Sequence, residues 1–218
     1  PQYLFLTAND LESEGFEGAK YICSPPPRTS KDQEKIWLGI KTGVFQVFSS
    51  DHAPFRFGGN QGKQVEGSQT KFCNVPNGIP GIETRMPLLM SKGVLEEKID
   101  VQTFVSLTST YPAKIYGLYP RKGTIAPGSD ADIVIWDTKT KFTLSNSLLH
   151  HNVDYTPYEG MELNAWPKSV ISRGELIVDK GNLTAKHGRG IFLKSDLPLT
   201  AKTFDKSSLL ERIEKKVF

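Results

Sequence analysis

The sequence predicts an α/β fold, part of a parallel barrel followed by a smaller β domain, and three features point there. Residues 31–41 carry a helical period that stops at Gly43, and an apolar run, 44–48, follows at once. A helix feeding a buried strand through so short a connection is the repeating unit of a parallel sheet. That run breaks at Ser49 and Ser50 and delivers Asp51 and His52. In parallel barrels the strands are nearly continuous apolar runs, and the chemistry sits where each one ends. Beyond Arg121 the text changes to short β segments punctuated by glycine, the mark of a second, β-rich domain.

Taken from its start, the chain begins without Met inside what reads as strand and loop, and is expected to be a piece of a longer polypeptide. Residues 1–27 read as loop with two short apolar runs, 3–6 and 19–23, and end in Cys23-Ser24-Pro25-Pro26-Pro27. Three successive prolines stiffen the backbone and can hold Ser24 in one place, although a solvated loop serine fits the same text. Ser30, with Gln33 three residues on, forms a capping box for the helix 31–41, whose apolar face is Ile36, Trp37 and Ile40. After the strand 44–48, Asp51 reads either as a catalytic carboxylate at a strand end or as one of the turn acids that commonly follow strands. Residues 58–72 are polar, glycine-rich and aperiodic, a long loop of the kind that forms lids and mobile segments; they hold neither phosphate-binding glycine pattern.

Asn77-Gly78 and Pro80-Gly81 are turn signals, and residues 83–90 open a helix. Asp100 caps another helix over 101–107, and Thr110 with Pro112 starts a third that ends at Gly117. In the β part, 133–136 is an apolar run between acids, while Val170-Ile171 and 176–178 flank Ser172-Arg173-Gly174-Glu175, a hairpin signature. So few strands do not close a sandwich unaided, and partner strands are expected from sequence outside this chain. Residues 204–218 place Leu209, Leu210, Ile213 and Val217 on one helical face and read as an arm that docks on a neighbour. The expected division is therefore 1–120 for the barrel part, 121–194 for the β part and 195–218 for the arm.

Composition narrows the function classes. The 218 residues carry 27 Lys and Arg against 24 Asp and Glu, a net charge of +3 with no basic stripe, so a nucleic-acid surface is not indicated. No run of 18 apolar residues suggests a membrane span. The two cysteines, Cys23 and Cys73, show no metal-site spacing and exclude a disulfide framework, which suits a reducing compartment and a cytoplasmic setting.

Five stretches, SSDHAPFRF, PNGIPGIETRMPLL, TSTYPAKIYGLYPRKGTIAPGSDADIVIWD, DYTPYEG and HGRGIFLK, together resemble the C-terminal portion of the dihydropyrimidinase and hydantoinase branch of the cyclic amidohydrolases. The resemblance runs from residue 1 to about 194; GSDADIVIWD is common to many amidohydrolases, and the DHAPF and PNGIPGIETR pair is far more specific. It implies the C-terminal part of a metal-dependent-hydrolase (β/α)8 TIM barrel plus part of a small β-sandwich. It also implies two divalent metal ions, usually zinc, held by an HxH pair, a carboxylated bridging lysine, two further histidines and one aspartate. Asp51 matches that aspartate, as metal ligand and as the catalytic group that shuttles the proton when hydroxide attacks the ring amide; metals acidify water and polarise the carbonyl, and a neighbouring carboxylate can carry the proton to the leaving nitrogen. Ser24 and Asn77 match substrate-binding residues that meet the cyclic amide through their main chain, whose donors and acceptors complement the ring's alternating N–H and C=O groups.

His52 follows Asp51 directly and is read as structural, donating to a neighbouring backbone or carboxylate; His150, His151 and His187 are read as surface or supporting groups. Ala53 stands where many relatives have cysteine. The HxH pair, the bridging lysine and the later histidines have no counterpart here, so the carboxylated lysine and most ligands are expected from sequence absent from this chain. The resemblance implies ring opening of 5,6-dihydrouracil and dihydrothymine to N-carbamoyl-β-amino acids in reductive pyrimidine catabolism, by a homo-tetramer joined through the C-terminal arm. The alternatives are a non-catalytic adaptor like the collapsin response mediators, which lack counterparts of Asp51 and Asn77, a hydantoinase or allantoinase, or a dihydroorotase, for which Arg56 and Arg85 would have to read a substrate carboxylate.

Overall fold

The structure, a computed structural model, describes residues 1–198, so the expected arm over 204–218 lies outside the described residues. Helices and strands are both present, and the chain forms two compact units. One takes Pro1–Phe104 and Asp137–Trp166; the other takes Val105–Trp136 and, of the remaining described residues, 167–198.

In the first unit the text expected to be loop opens with two helical turns, Gln2–Phe5 and Ala8–Leu11, and a 3-10 turn, Glu17–Tyr21. The apolar residues of those turns explain their place. Leu6 and Cys23 join Ile79, Leu88, Leu144, Tyr158 and Leu163 in one buried cluster, with Tyr3, Phe5, Tyr21, Phe142 and Trp166 packed against it. The ring of Phe142 meets that of Trp166 edge to face at 5.2 Å. The short strands Phe142–Thr143 and Glu162–Leu163 pair antiparallel; Leu163 and Leu144, which follows the first strand, are fully buried.

The helix Ser30–Lys41 forms as expected, but its cap lies one residue earlier. Thr29 has extended backbone and Asp32 stands three residues on; the Asp32 carboxylate accepts from Thr29 N at 3.0 Å and from Thr29 Oγ1 at 2.6 Å. Gln33 is used elsewhere, its amide donating to Leu6 O at 2.8 Å. The greater difference comes next, since residues 44–48 are assigned no strand. Val44, Phe45 and Val47 are exposed and only Phe48 is buried. A lone extended run gains nothing without neighbours to take its amides and its apolar face, and the described residues supply none for this one. Strand-like pairing begins later, in an isolated parallel bridge between His52 and Ile79.

Arg85–Leu89 begins two residues inside the expected helix and runs on through a π turn, Met90–Val94. Asp100 caps Val101–Val105, its Oδ1 accepting from Thr103 N at 2.7 Å. The expected fresh start at Thr110 does not occur. Helical turns continue from Val101–Val105 through a π turn, Ser106–Thr110, into Tyr111–Ile115. Pro112 has no N–H to give, and the widened turn before it absorbs the break.

In the second unit, among the described residues, Ile133–Asp137, Trp166–Ser172, Glu175–Asp179 and Asn182–Leu183 form a four-stranded sheet in that order. The expected hairpin is present: Arg173 (φ 50°) and Gly174 (φ 78°) both turn left-handed, as a tight two-residue hairpin loop requires. The pairing slips by one residue between Val170 and Ile171, a bulge that twists the ribbon. The acids of GSDADIVIWD brace this unit: Lys122 Nζ reaches Asp130 at 2.9 Å and Asp132 at 2.5 Å, and Asp132 Oδ1 accepts from Arg173 N at 2.8 Å.

Candidate functional site

Three stretches of the first unit come together through main-chain hydrogen bonds. Ala53 N donates to Ile79 O at 3.1 Å, and Gly78 N donates to Ile22 O at 3.0 Å, so residues 77–79 are joined both to 51–53 and to 22. The three sequence-predicted positions, Ser24, Asp51 and Asn77, thus stand on segments that contact one another. Gly78 permits the approach. Its φ is 146°, and a Cβ placed there would lie 2.4 Å from Ala53 O.

Asp51 itself is exposed and adopts left-handed backbone, φ 51°, a conformation Asp tolerates better than most residues. Its Oδ2 accepts from Gln2 Nε2 at 2.8 Å, and Gln2 is only 1% exposed, so a rigid donor aims the carboxylate. His52 has the structural role expected of it, but as an acceptor and not a donor. Its Nδ1 accepts from Gly81 N at 3.0 Å and Ile82 N at 3.3 Å, so it holds the PNGIPG turn as an acceptor and carries its proton on Nε2. Burial lowers its pKa, in keeping with a neutral ring.

The Asn77 amide donates to Ser24 Oγ at 2.5 Å, so these two side chains engage each other. The main-chain groups of Ser24 and Asn77 make no hydrogen bond among the described residues, and both residues are exposed. Main-chain donors and acceptors held open in a fixed frame can read a flat ring of amides.

Three supporting residues had no signal in the sequence. Gln2 reads as a polar residue in a loop. Lys63 stands in the glycine-rich stretch 58–72, where a lysine reads as solvated, and yet it is 0% exposed. Its Nζ donates to Pro76 O at 2.9 Å and Ile22 O at 3.4 Å, and burial pushes its ammonium down to about 8. Asp154, in DYTPYEG, accepts from Phe57 N at 2.6 Å and Gly58 N at 3.0 Å and fixes the far end of SSDHAPFRF. Partial burial pushes its carboxyl up, but the two amides outweigh this and hold it below its ordinary value. Because the carboxylate is exposed, Asp154→Ala is expected to cost only about 1–2 kcal/mol in a denaturant titration at pH 7. A depressed folded pKa means that this stabilisation is present above the ordinary value of 3.8 and lost as pH falls through the folded one, so the variant and the parent should converge in acid.

Arg85 donates to Phe48 O, and Arg56 Nη2 to Asn152 Oδ1 at 3.3 Å, so both arginines brace this region. His150 is bound to Glu83 through both its N and its Nδ1, at 2.7 and 2.8 Å, and His151 to Asn146. Among the described residues no three His, Cys, Asp or Glu side chains are grouped so as to hold a metal ion. Asp51 fits one hard oxygen ligand, and the described residues do not fit a complete binuclear centre.

Comparison with known proteins places the chain in a family. Residues 14–177 match the amidohydrolase family. The chain is similar to the D-hydantoinase of Rhizobium radiobacter, 44% identical over 193 residues that make up 88% of this chain and 41% of that protein. It superposes on the solved D-hydantoinase from Bacillus sp. AR9 with a TM-score of 0.84 and 45% identity, covering 90% of this chain and 42% of that one. It also superposes on the dihydropyrimidinase from Brevibacillus agri NCHU1002 with a TM-score of 0.80 and 46% identity, covering 84% and 39%. The chain thus spans about two fifths of the length of these relatives. With the family match covering most of its length and both superpositions above 40% identity, the chain belongs to the amidohydrolase family, in the branch of the D-hydantoinases and dihydropyrimidinases.

Proposed function

We propose that this chain forms part of a hydrolase that opens cyclic amides, with 5,6-dihydrouracil and dihydrothymine as substrates and N-carbamoyl-β-amino acids as products. In this reading, residues 1–120 belong to the C-terminal part of a (β/α)8 barrel, 121–194 to a β-sandwich and 195–218 to an arm that joins a cytoplasmic homo-tetramer. The observation that carries it is the pair of exposed residues Ser24 and Asn77, whose main chains make no hydrogen bond among the described residues, tied through Gly78 and Ile79 to the segment that bears Asp51. Those main chains bind the ring by its N–H and C=O groups and hold one amide toward Asp51. Two zinc ions, completed by ligands and a carboxylated lysine from outside this chain, would supply an acidified water and a polarised carbonyl. The Asp51 carboxylate takes the proton of the attacking water and returns it to the ring nitrogen as the C–N bond breaks. Its bond from Gln2 leaves the other carboxylate oxygen to that task.

The names of the relatives favour a second reading, in which the preferred ring is a hydantoin. A ring bearing a carboxylate suits the site less well, because Arg56 and Arg85 are already engaged with Asn152 and Phe48. The test is a kcat/KM series for 5,6-dihydrouracil, hydantoin and dihydroorotate with the complete, metal-loaded enzyme, following the N-carbamoyl product. Turnover of the first two with dihydroorotate poor is the expected result. No turnover of either would overturn the proposal.

A further inference from the structure

Among the described residues, Lys63 is the one fully buried cation that the site chemistry described above leaves unused. It is 0% exposed, and both of its hydrogen-bond partners among the described residues are main-chain carbonyls, Pro76 O and Ile22 O. Burying a cation among neutral groups is costly, and a fold retains one where its donors perform a task that a neutral side chain would do less well. Here the task is specific. Pro76 immediately precedes Asn77, and Ile22 lies two residues before Ser24. The Ile22 carbonyl also takes the Gly78 amide, so one oxygen receives both the ammonium and the neighbouring segment. The loop around Lys63 is anchored in turn, with Lys63 N donating to Arg56 O at 2.8 Å and Gly62 N to Gly59 O at 3.0 Å. Gly62 itself packs so closely that an added Cβ would lie 2.4 Å from Arg56 O.

From this geometry we infer that Lys63 is a positioning residue for substrate binding, its ammonium clamping the Pro76 and Ile22 carbonyls so that the main chains at Ser24 and Asn77 keep the spacing a cyclic amide needs. The inference rests on the reading of Ser24 and Asn77 as substrate contacts. It gives the glycine-rich stretch 58–72 a role in holding those two segments. The clamp never touches the substrate and acts only through those two segments.

The test is Lys63→Met in the complete, metal-loaded enzyme, with KM, kcat, metal content and melting temperature measured together. Methionine fills the space of the stem but leaves Pro76 O without its donor, while Ile22 O keeps Gly78 N. The expected result is a rise in KM of about tenfold with a smaller change in kcat and unaltered metal content, because the ring is held less well while the reacting groups stay in place. A residue that served stability alone would lower the melting temperature and the active fraction and leave KM where it was; that outcome overturns the inference. Lys63→Gln keeps one donor for Pro76 O and should restore part of the lost affinity. If neither variant folds with native metal content, Lys63 is a folding requirement and the positioning role falls. Failure of the parent enzyme to turn over any cyclic amide would strike the functional reading instead, which separates the two.

Discussion

Asp51→Ala in the complete, metal-loaded enzyme is expected to lose about a thousandfold or more in kcat for ring opening, the usual scale for removing a general base that also holds the nucleophile's metal. Metal content should fall with it, since the proposed role makes Asp51 one of the metal's oxygen ligands. Asp51 sits at φ 51°, which alanine tolerates less well, so part of any effect of that substitution could come from strain at the segment that pairs with Ile79. Asp51→Asn separates the two. Asparagine accepts left-handed backbone and its amide oxygen can still take the Gln2 donor, while the negative charge and the proton shuttle are removed. Loss of turnover in both variants, with the melting temperature of the Asn form near the parent's, assigns the effect to the carboxylate. Normal kcat in Asp51→Asn would remove Asp51 from the chemistry.

How much of this was legible beforehand depends on where the determining contacts lie. The hairpin at Arg173-Gly174 and the helix Ser30–Lys41 follow from residues within a few positions of each other, and both are present. The misplaced cap is of the same local kind: Thr29 with Asp32 and Ser30 with Gln33 are both capping-box texts, and only backbone geometry decides between them. The run 44–48 fails for the opposite reason. Its apolar pattern is that of a buried strand, but a strand is a property of a pair, and its neighbours are not among the described residues. The exposed Val44, Phe45 and Val47 are what such a run looks like uncovered.

The site divides in the same way. Asp51, Ser24 and Asn77 stood out because each belongs to a short, specific stretch of text, and the structure ties their three segments together by hydrogen bonds. Gln2, Lys63 and Asp154 did not, because they act across 13 to 97 residues of sequence on main-chain atoms or one carboxylate oxygen. Nothing in the neighbours of a lysine reveals that its ammonium will end on two carbonyls.

The position where these constraints converge is Gly78, and Gly78→Ala is expected to damage both stability and activity. A Cβ there would stand 2.4 Å from Ala53 O and 2.7 Å from Ala53 Cβ, atoms of a packed segment with no flexible end to swing away. Relief requires residues 77–79 to draw back from 51–53, which stretches the Ala53 N to Ile79 O bond and pulls Asn77 away from Asp51. The backbone adds its own cost, since φ 146° lies where side chains rarely go. Strain and overpacking together should cost about 2–4 kcal/mol. The displaced main chain should lower kcat/KM by about a hundredfold, the price of moving reacting groups by an ångström. Gly160→Ala is the control, because Gly160 also has positive φ, 80°, but an added Cβ meets nothing within 4 Å, so only backbone strain of about 1 kcal/mol is expected. Denaturant midpoints and steady-state kinetics on the two variants decide the matter. If Gly78→Ala proves no worse than Gly160→Ala, the close approach of the Asn77 turn to the Asp51 segment is not what holds the site together.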